Sequence, residues 1–395
     1  MTDNNENKVL NVPHLRFPEF SGEWKKCKLG DLCNVLMCKR ILVSQTNTED
    51  GVPFYKIGTI GSTPDAYISK ELFDDYKVKY NYPRKGEVMI TCAGTVGKCV
   101  VYDGEDAYFQ DSNIVWIDNP TQYISNGFLF HLLSKVDWRK LNSTTIIRIY
   151  NDDLRNLKMS YPRKEEQQKI SHLLSLLDER IATQNKIIEK LQSLIKGLSQ
   201  QLLSSENDWI LYRLDDLAQI KSGYSGIQVS YQTPYKVSRI ETISKHCIDI
   251  QRIGYVEFIP ESYKLNVGNI LFSNINSVQY IGNTAYLDKD YGLYHGMNLL
   301  RIIPNTTIVR PRFLHLLLCT DWAINHFQTI CNKAVSQASI NQTALGKSRY
   351  PIPPMSVQQQ ICSMFELTER KLGNEQEYIS CLQQQKRYLL QEMFI

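Results

Sequence analysis

The chain has no apolar run near the ~20 residues a transmembrane helix needs. Its first twenty residues, MTDNNENKVLNVPHLRFPEF, are polar and lack the apolar centre of a signal peptide. None of its ten cysteines stands in a C-x-x-C pair. Zinc ribbons and disulfide frameworks are therefore not expected, and the thiols are read as reduced in a cytoplasmic setting. The histidines (His14, His131, His172, His246, His295, His315 and His326) show no metal-ligand spacing, so no metal site is expected. His131 and His315 fall in apolar, helix-like stretches and read as satisfied core residues. One sign of charge does not dominate. With 45 basic and 41 acidic residues the net charge is +4, which permits a nucleic-acid partner without demanding one.

Catalytic motifs are missing as well. Gly94-Thr95-Val96-Gly97-Lys98 is like the end of a phosphate-binding loop, but the spacing is short and Cys99 stands where Ser or Thr should hold Mg²⁺. A hairpin turn is the reading adopted. Asp118-Asn119-Pro120-Thr121 is near the Asp/Asn-Pro-Pro-aromatic element of amino-methyltransferases. It lacks the second proline and the aromatic, and no Gly-rich cofactor loop precedes it, so it reads as a turn after a strand. No Ser/His/Asp or Cys/His set stands out. Asp103, Glu105 and Asp106 read as a solvated acidic loop. The expectation is a chain that catalyses nothing itself and holds no cofactor of its own.

What the sequence does contain is a repeat. From Pro162 to Leu203 apolar residues recur at Leu174, Leu177, Ile181, Ile188, Leu191, Ile195, Leu198 and Leu202, with Gln184 in the one open seam position. Steps of three and four make a heptad seam, the mark of a helix packed along another helix. The stretch returns from Pro353 to Phe394, where Ile361 aligns with Ile170 and Phe394 with Leu203. There the seam reads Phe365, Leu372, Ile379, Leu382, Leu389 and Met393, interrupted by Thr368, Glu375 and Lys386. Two such helices are most simply each other's partners, as an antiparallel coiled coil. At ~1.5 Å per residue the aligned part makes a rod of roughly 50 Å.

The remainder repeats too. Trp24 with Leu29-Gly30-Asp31-Leu32 is echoed by Trp209 with Leu214-Asp215-Asp216-Leu217. Phe54-Tyr55-Lys56-Ile57 is echoed by Pro234-Tyr235-Lys236-Val237, and Phe128 to Leu133 with Trp138 by Phe313 to Leu318 with Trp322. Strands are expected in Val52 to Ile60 and Asn113 to Ile117, a hairpin in Gly86 to Gly104, and a helix from Gly127 to Leu141. The fold class is α+β: two tandem α/β globules separated by the two long helices, with an internal pseudo-two-fold repeat. The boundaries expected are an arm at 1–23 (its first eight residues disordered), a globule at 24–160, a helix at 161–205, a second globule at 206–351 and a second helix at 352–395. The framework matches between copies but the loops differ. Two related binding modules with different ligands would look so, and so would drift after duplication.

A sequence-reading DNA module needs cations for phosphates and flexible polar side chains for base edges. The first globule's variable segments offer Lys39, Arg40, Tyr55, Lys56, Lys77, Lys79, Tyr80, Lys98, Arg148 and Tyr150. The second offers Lys221, Tyr224, Tyr235, Lys236, Arg239, Asn274, Asn276, Gln279, Gln337 and Asn341. For any single one the plain alternative is a solvated surface residue. Modules about 50 Å apart would span on the order of one and a half duplex turns, which predicts a split target.

Leu15-Arg16-Phe17-Pro18-Glu19-Phe20, Gly22-Glu23-Trp24 and Leu29-Gly30-Asp31-Leu32 together resemble the opening of specificity (S) subunits of type I restriction–modification systems. Glu165-Glu166-Gln167-Gln168-Lys169-Ile170 resembles the start of their central spacer helix. The second copy, Val357-Gln358-Gln359-Gln360-Ile361, lacks the Glu-Glu pair but keeps Gln-Gln-x-Ile. The resemblance covers essentially the whole chain. It implies two target-recognition domains that bind a bipartite double-stranded DNA target, and recruitment of two methyltransferase subunits and of restriction–translocase subunits. S-adenosylmethionine, ATP and Mg²⁺ would belong to those partners. Apolar residues around Leu173, Ile187 and Leu194 would form a docking face for partner helices, unless they touch the chain's own globules. The competing reading is a non-catalytic two-domain coiled-coil scaffold for protein partners without DNA specificity.

Overall fold

A computed structural model describes residues 10–140, 148–204, 209–244, 246–333 and 337–395. The first eight residues, expected to be disordered, lie outside that range. The chain divides into two compact units: Met1–Asn185 with Glu377–Ile395, and Lys186–Gln376.

The first unit contains β1 (Lys25–Lys28), β2 (Asn34–Leu36), β3 (Val52–Tyr55), β4 (Tyr67–Ile68), α1 (Lys70–Lys79), β5 (Val88–Thr91), β6 (Cys99–Val101), β7 (Tyr108–Phe109), β8 (Ile114–Asp118), α2 (Asn126–Lys135), α3 (Asn151–Arg155), β9 (Lys158–Tyr161) and the start of α4 (Lys164–Leu202). Its central sheet has the antiparallel order β2-β8-β5-β6. The two-residue period of strands sorts its side chains onto two faces. Val35, Val88, Ile90, Val115 and Ile117 meet Phe128, Leu129 and Leu133 of α2, Ile170 and Leu174 of α4, and Met393 and Phe394. Met89, Ile114 and Trp116 point the other way, onto an outer layer with Val52, Phe54, Ile68, Phe73 and Tyr108. In that layer β3 runs parallel to β7 and antiparallel to β4.

The hairpin expected in Gly86 to Gly104 is β5–β6. In its tip Gly97 has a φ of +83°, and a Cβ there would lie 2.2 Å from the Trp138 ring. Glycine alone lets the tip close over that indole. Ser125 caps α2 by accepting from the Phe128 amide. The helix ends at Lys135, short of the expected Leu141. Val136 adopts extended backbone (φ −63°, ψ 126°), and the turn that follows buries Trp138, whose Nε1 donates to the Leu133 carbonyl at 3.3 Å.

The arm before Trp24 is tied down. Arg16 holds Glu166 through Nε–Oε1 at 2.7 Å and Nη2–Oε2 at 2.8 Å, and Trp24 Nε1 donates to the same carboxylate at 3.3 Å. Lys169 pairs with Glu19, and the Leu15 amide donates to the Glu392 carbonyl at 2.9 Å. Within this unit the two long helices run antiparallel. Asp178 pairs with Lys386, whereas Arg180, further along α4, lies 5.4 Å over the ring of Tyr378, further back in the last helix.

The second unit holds the rest of α4, then β10 (Ile210–Arg213), α5 (Leu214–Leu217), β11 (Ala218–Ser222), β12 (Gln228–Val229), β13 (Tyr235–Val237), β14 (Ile243–Ser244), β15 (Cys247–Ile248), β16 (Gly254–Val256), β17 (Ile270–Phe272), β18 (Ile275–Asn276), β19 (Thr284–Tyr286), β20 (Leu293–Tyr294), β21 (Leu300–Pro304), α6 (Pro311–Leu318), α7 (Asp321–Ile330), β22 (Asn332–Lys333), β23 (Ala338–Ser339), α8 (Gln342–Gly346), β24 (Arg349–Ile352) and the first part of α9 (Met355–Glu392). The plan is the same. The sheet β11-β21-β17-β19 turns Ile220, Ile270, Phe272, Leu300 and Ile302 toward Phe313, Leu317 and Phe365. Leu271, Ala285 and Leu299 face a second cluster with Leu265 and Leu293. A further sheet, β12-β16-β13-β20, carries Val237, Val256 and Tyr294.

No heptad-seam position is exposed. Leu174, Phe365, Leu382 and Met393 are buried, and so is the seam polar residue Gln184. The interruptions on the last helix are engaged too: Lys386 pairs with Asp178, Glu375 with Lys371, and Thr368 Oγ1 donates to the Met364 carbonyl at 2.7 Å. Off the seam, Ile187 and Leu194 are exposed. Leu173 packs against the first unit's own core instead, so it drops out of the expected docking face. No helix among the described residues is long and apolar enough to cross a membrane.

Candidate nucleic-acid interface

In the first unit the ends of β3, β5 and β7 and the start of β8 meet along one edge. The Gln110 amide donates to the Tyr55 carbonyl at 2.9 Å, and Thr95 Oγ1 donates to the Ile57 carbonyl at 3.2 Å. Arg148 donates to the Ser112 carbonyl at 3.0 Å, and its guanidinium lies 6.0 Å from the centre of the exposed Tyr150 ring. Ser112 sits in the left-handed region (φ 55°), as does its counterpart Asn298 in the second unit (φ 63°), each just before the sheet's central strand. Tyr55, Lys56, Lys98, Arg148 and Tyr150 are thus brought to one edge. Tyr55 stacks on Phe109 at 6.0 Å, Lys56 pairs with Asp65 at 3.1 Å, and Lys98 Nζ donates to the Ile60 carbonyl.

The other first-unit candidates lie on the outer layer. Lys39 Nζ stands 5.3 Å over the Tyr80 ring, and Arg40 is exposed beside it in sequence. Lys77 is engaged with Asp106 at 2.9 Å and Lys79 with Asp75 at 2.5 Å. Lys70 also holds Asp106, and these two ammonium groups keep its carboxyl below the usual range. The loop read as solvated acid therefore has one of its carboxylates tied to α1.

In the second unit Lys221 is exposed on β11, and the Tyr224 amide donates to the His295 carbonyl at 3.0 Å. Tyr235 packs edge-on to Phe258 and Tyr294, Lys236 is exposed, and Arg239 meets Glu241 at 3.4 Å. A small sheet, β18-β23-β22, gathers Asn274, Asn276 and Gln337. Asn274 Nδ2 donates to the Ile340 carbonyl at 3.4 Å, while its Oδ1 is buried without a partner among the described residues. Asn276 donates to Ser273 Oγ at 3.1 Å and accepts from the Ser277 amide at 2.8 Å. Asn341 caps α8 by accepting from the Ala344 amide at 2.7 Å. Gln279 and Gln337 are exposed. Asn332 and Lys333, also exposed, belong to the same sheet and went unnoticed in the sequence, because a two-residue strand has no readable period.

The second unit also holds a cavity of about 870 Å³ lined by Ile195, Phe365, Leu372, Arg312, His315 and Cys319. Arg312 Nη1 lies 2.9 Å from His315 Nδ1, which makes that nitrogen the acceptor and leaves Nε2–H toward Cys319 Sγ at 3.5 Å. Burial pushes the Cys319 thiol up to about 12 and His315 well below its ordinary value. Burial keeps this thiol protonated, and His315, with Nδ1 already engaged, offers it no free base; a second imidazole, His246, lies with Nδ1 3.3 Å from Sγ. His315 is thus a satisfied core residue. His131 is not: it is buried, yet among the described residues neither ring nitrogen has a hydrogen-bond partner, and Asp178 stands 4.0 Å from Nδ1. Among the described residues no three His, Cys, Asp or Glu side chains are placed to hold a metal ion.

The sequence matches the family described as "Type I restriction modification DNA specificity domain" over residues 21–193 and again over 206–382. The chain belongs to this family. It is 46% identical over 206 residues to a putative type I restriction enzyme specificity subunit of Haemophilus influenzae, covering 52% of this chain and 49% of that one. It is 38% identical over 193 residues to the putative MjaX specificity subunit of Methanocaldococcus jannaschii, covering 47% and 45%. These alignments span about half the length of those relatives. The fold is similar to the crystal structure of a type I restriction–modification S subunit from M. genitalium, with a TM-score of 0.62, 16% identity, and coverage of 97% of this chain and 99% of the other. In the family's terms the two matched segments are two copies of one domain. The two copies share a four-stranded sheet of the same order, β2-β8-β5-β6 and β11-β21-β17-β19, and the polar residues of their loops differ apart from the shared Tyr55-Lys56 and Tyr235-Lys236.

Proposed function

We propose that the chain is the DNA sequence-specificity subunit of a type I restriction–modification complex. Each unit binds one half of a bipartite double-stranded target. The observation that carries this reading is the double family match on units with equivalent sheets and differing loop residues. Shared sheets give one mode of docking, and different side chains at the edge give two different half-sites. Tyr55, Lys56, Lys98, Arg148 and Tyr150 are the first unit's candidates, and Lys221, Lys236, Gln279 and Gln337 the second's.

The chain catalyses nothing in this reading. Adenine methyltransferase subunits and restriction–translocase subunits carry the chemistry, and S-adenosylmethionine, ATP and Mg²⁺ belong to them. The exposed Ile187 and Leu194 on α4 support a helix-docking face for the methyltransferase, and the complex works in the cytoplasm. The test is a genome-wide map of methylated adenines with and without this chain, its methyltransferase co-expressed. A split motif that disappears with the chain is the expected result. An unchanged map, followed by no binding of the purified complex to random DNA, would leave a protein scaffold instead.

A further inference from the structure

The amides of the β18-β23-β22 sheet, the residues flanking it and α8 fall into two groups. Asn274, Asn276 and Asn341 are committed to backbone or neighbouring hydroxyl groups. Gln342 is committed too, its Nε2 donating to the Ile220 carbonyl at 2.8 Å. Asn332 and Gln337 are exposed, and neither makes a hydrogen bond among the described residues. Both belong to the β22–β23 ribbon. The register pairs Asn332 with Ser339 and Lys333 with Ala338. Directly opposed residues share a face and successive residues alternate. Ala338 is buried in the main core, and so is Ile340, the next residue of that parity. Asn332 and Ser339 therefore occupy the opposite face, turned away from the core. The ribbon is anchored on its inner edge, where β18 pairs with β23. Its outer edge, β22, carries Lys333, which is exposed and makes no ion pair among the described residues.

We infer that this ribbon is the base-reading element of the second unit: it enters the major groove, where Asn332 and Gln337 read adenine and Lys333 neutralises a phosphate. The inference rests on the proposed function and deepens it. The major groove admits a two-stranded ribbon, and a carboxamide matches adenine with two hydrogen bonds, its NH₂ donating to N7 and its oxygen accepting from N6–H. A free amide is needed for that, since one already tied to the protein cannot offer both. An anchored strand with a free neighbour holds the reading side chains without giving up their polar atoms.

The test selects random duplexes with the complex of the full chain and its methyltransferase subunits, then sequences the bound pool. The unaltered protein should enrich a split motif. Gln337→Ala and Asn332→Ala should each relax one adenine in one half, by roughly tenfold or more, and leave the other half unchanged. Gln337→Glu should shift the preference at its position toward cytosine, whose N4 donates to a carboxylate. Lys333→Ala should weaken all sequences alike and lower the salt slope by about one. An unaltered motif in both amide variants would overturn the assignment, and so would relaxation spread across both halves or complete loss of enrichment. Failure of the unaltered protein to enrich a split motif would overturn the proposed function itself, a different and separately visible result.

Discussion

Gln167 and Gln358 hold the same three hydrogen bonds in the two units. Gln167 Oε1 accepts from the Ser125 amide at 2.7 Å, and its Nε2 donates to the carbonyls of Tyr123 and Pro162, each at 2.9 Å. Gln358 Oε1 accepts from the Arg310 amide at 2.8 Å, and its Nε2 donates to the carbonyls of Ile308 at 3.0 Å and Pro353 at 2.9 Å. Both side chains are fully buried. Each sews the first turn of a long helix to the segment that leads into the short helix of its globule. Replacing either by leucine leaves one donor and two acceptors unpaired in the interior. The expected loss is about 2–4 kcal/mol, confined to the unit that carries the change. Urea unfolding of the full chain, followed by hydrogen exchange in each unit, measures it. Equal loss of protection in both units would refute the local role.

The Glu-Glu pair missing from the second copy has a use only in the first. Glu166 is the anchor for Arg16 and Trp24, and Val357 stands at its place in the second unit. Arg16→Leu strands a carboxylate that is 1% exposed, and should cost about 3–5 kcal/mol. The double change Arg16→Leu with Glu166→Val copies the second unit's solution and should recover most of that. A double variant no more stable than the single one, in the same urea titration, would mean the ion pair is not what the arm depends on.

These two interlocks show what the sequence could and could not reveal. The Gln-Gln-x-Ile spacing and the heptad seams were legible, because periodicity repeated over ten turns survives local exceptions. The strands of the two sheets were legible where an apolar run ended in a Gly-rich turn, as in Val88 to Thr91, which is buried on both faces. The outer layers were not, since two-residue strands such as Tyr67–Ile68 and Asn332–Lys333 are defined only by their partners. Nor could charge alone tell a committed lysine from a free one. Lys79 pairs with Asp75 four residues back on its own helix, but Lys77 reaches Asp106, a partner that only the packing of α1 against the loop at 103–106 brings near.

His131 makes the fold sensitive to acid. Burial pushes its pKa down to about 4 from an ordinary value near 6.5, with Asp178 opposing the shift and Lys386 adding to it. The unfolded chain therefore binds a proton that the folded chain refuses. Stability from this residue is complete above about pH 6.5 and is lost as the pH falls toward 4, by about 3 kcal/mol at most. His131→Leu, which removes two unpartnered nitrogens, should be at least as stable at pH 7.5 and should flatten this part of the pH dependence. Urea midpoints at pH 7.5 and 5.0 give the comparison. An unchanged difference between the two pH values would assign the acid sensitivity elsewhere, His295 being the first alternative because its pKa is also lowered to about 4.

Modularity follows from the two separate cores. Exchange of residues 24–160 for the equivalent domain of another family member should change one half of the methylated motif and keep the other. Methylation mapping of the chimaera reads this directly. A change in both halves would mean that the units do not read independently.

If α4 and α9 set the separation of two half-sites, removing one heptad from α4 at Leu177 keeps the seam in phase while shortening the helix by about 10 Å. The apolar positions that follow still return to the same face, so packing along the seam is retained. What changes is the distance, by roughly three base pairs of a duplex that repeats every 34–36 Å. The variant should methylate a motif with the same two halves and a shorter spacer, or lose binding where the rotation of the second half around the duplex cannot be accommodated. Unaltered spacing and unaltered binding in the methylation map would show that the helices do not measure the distance.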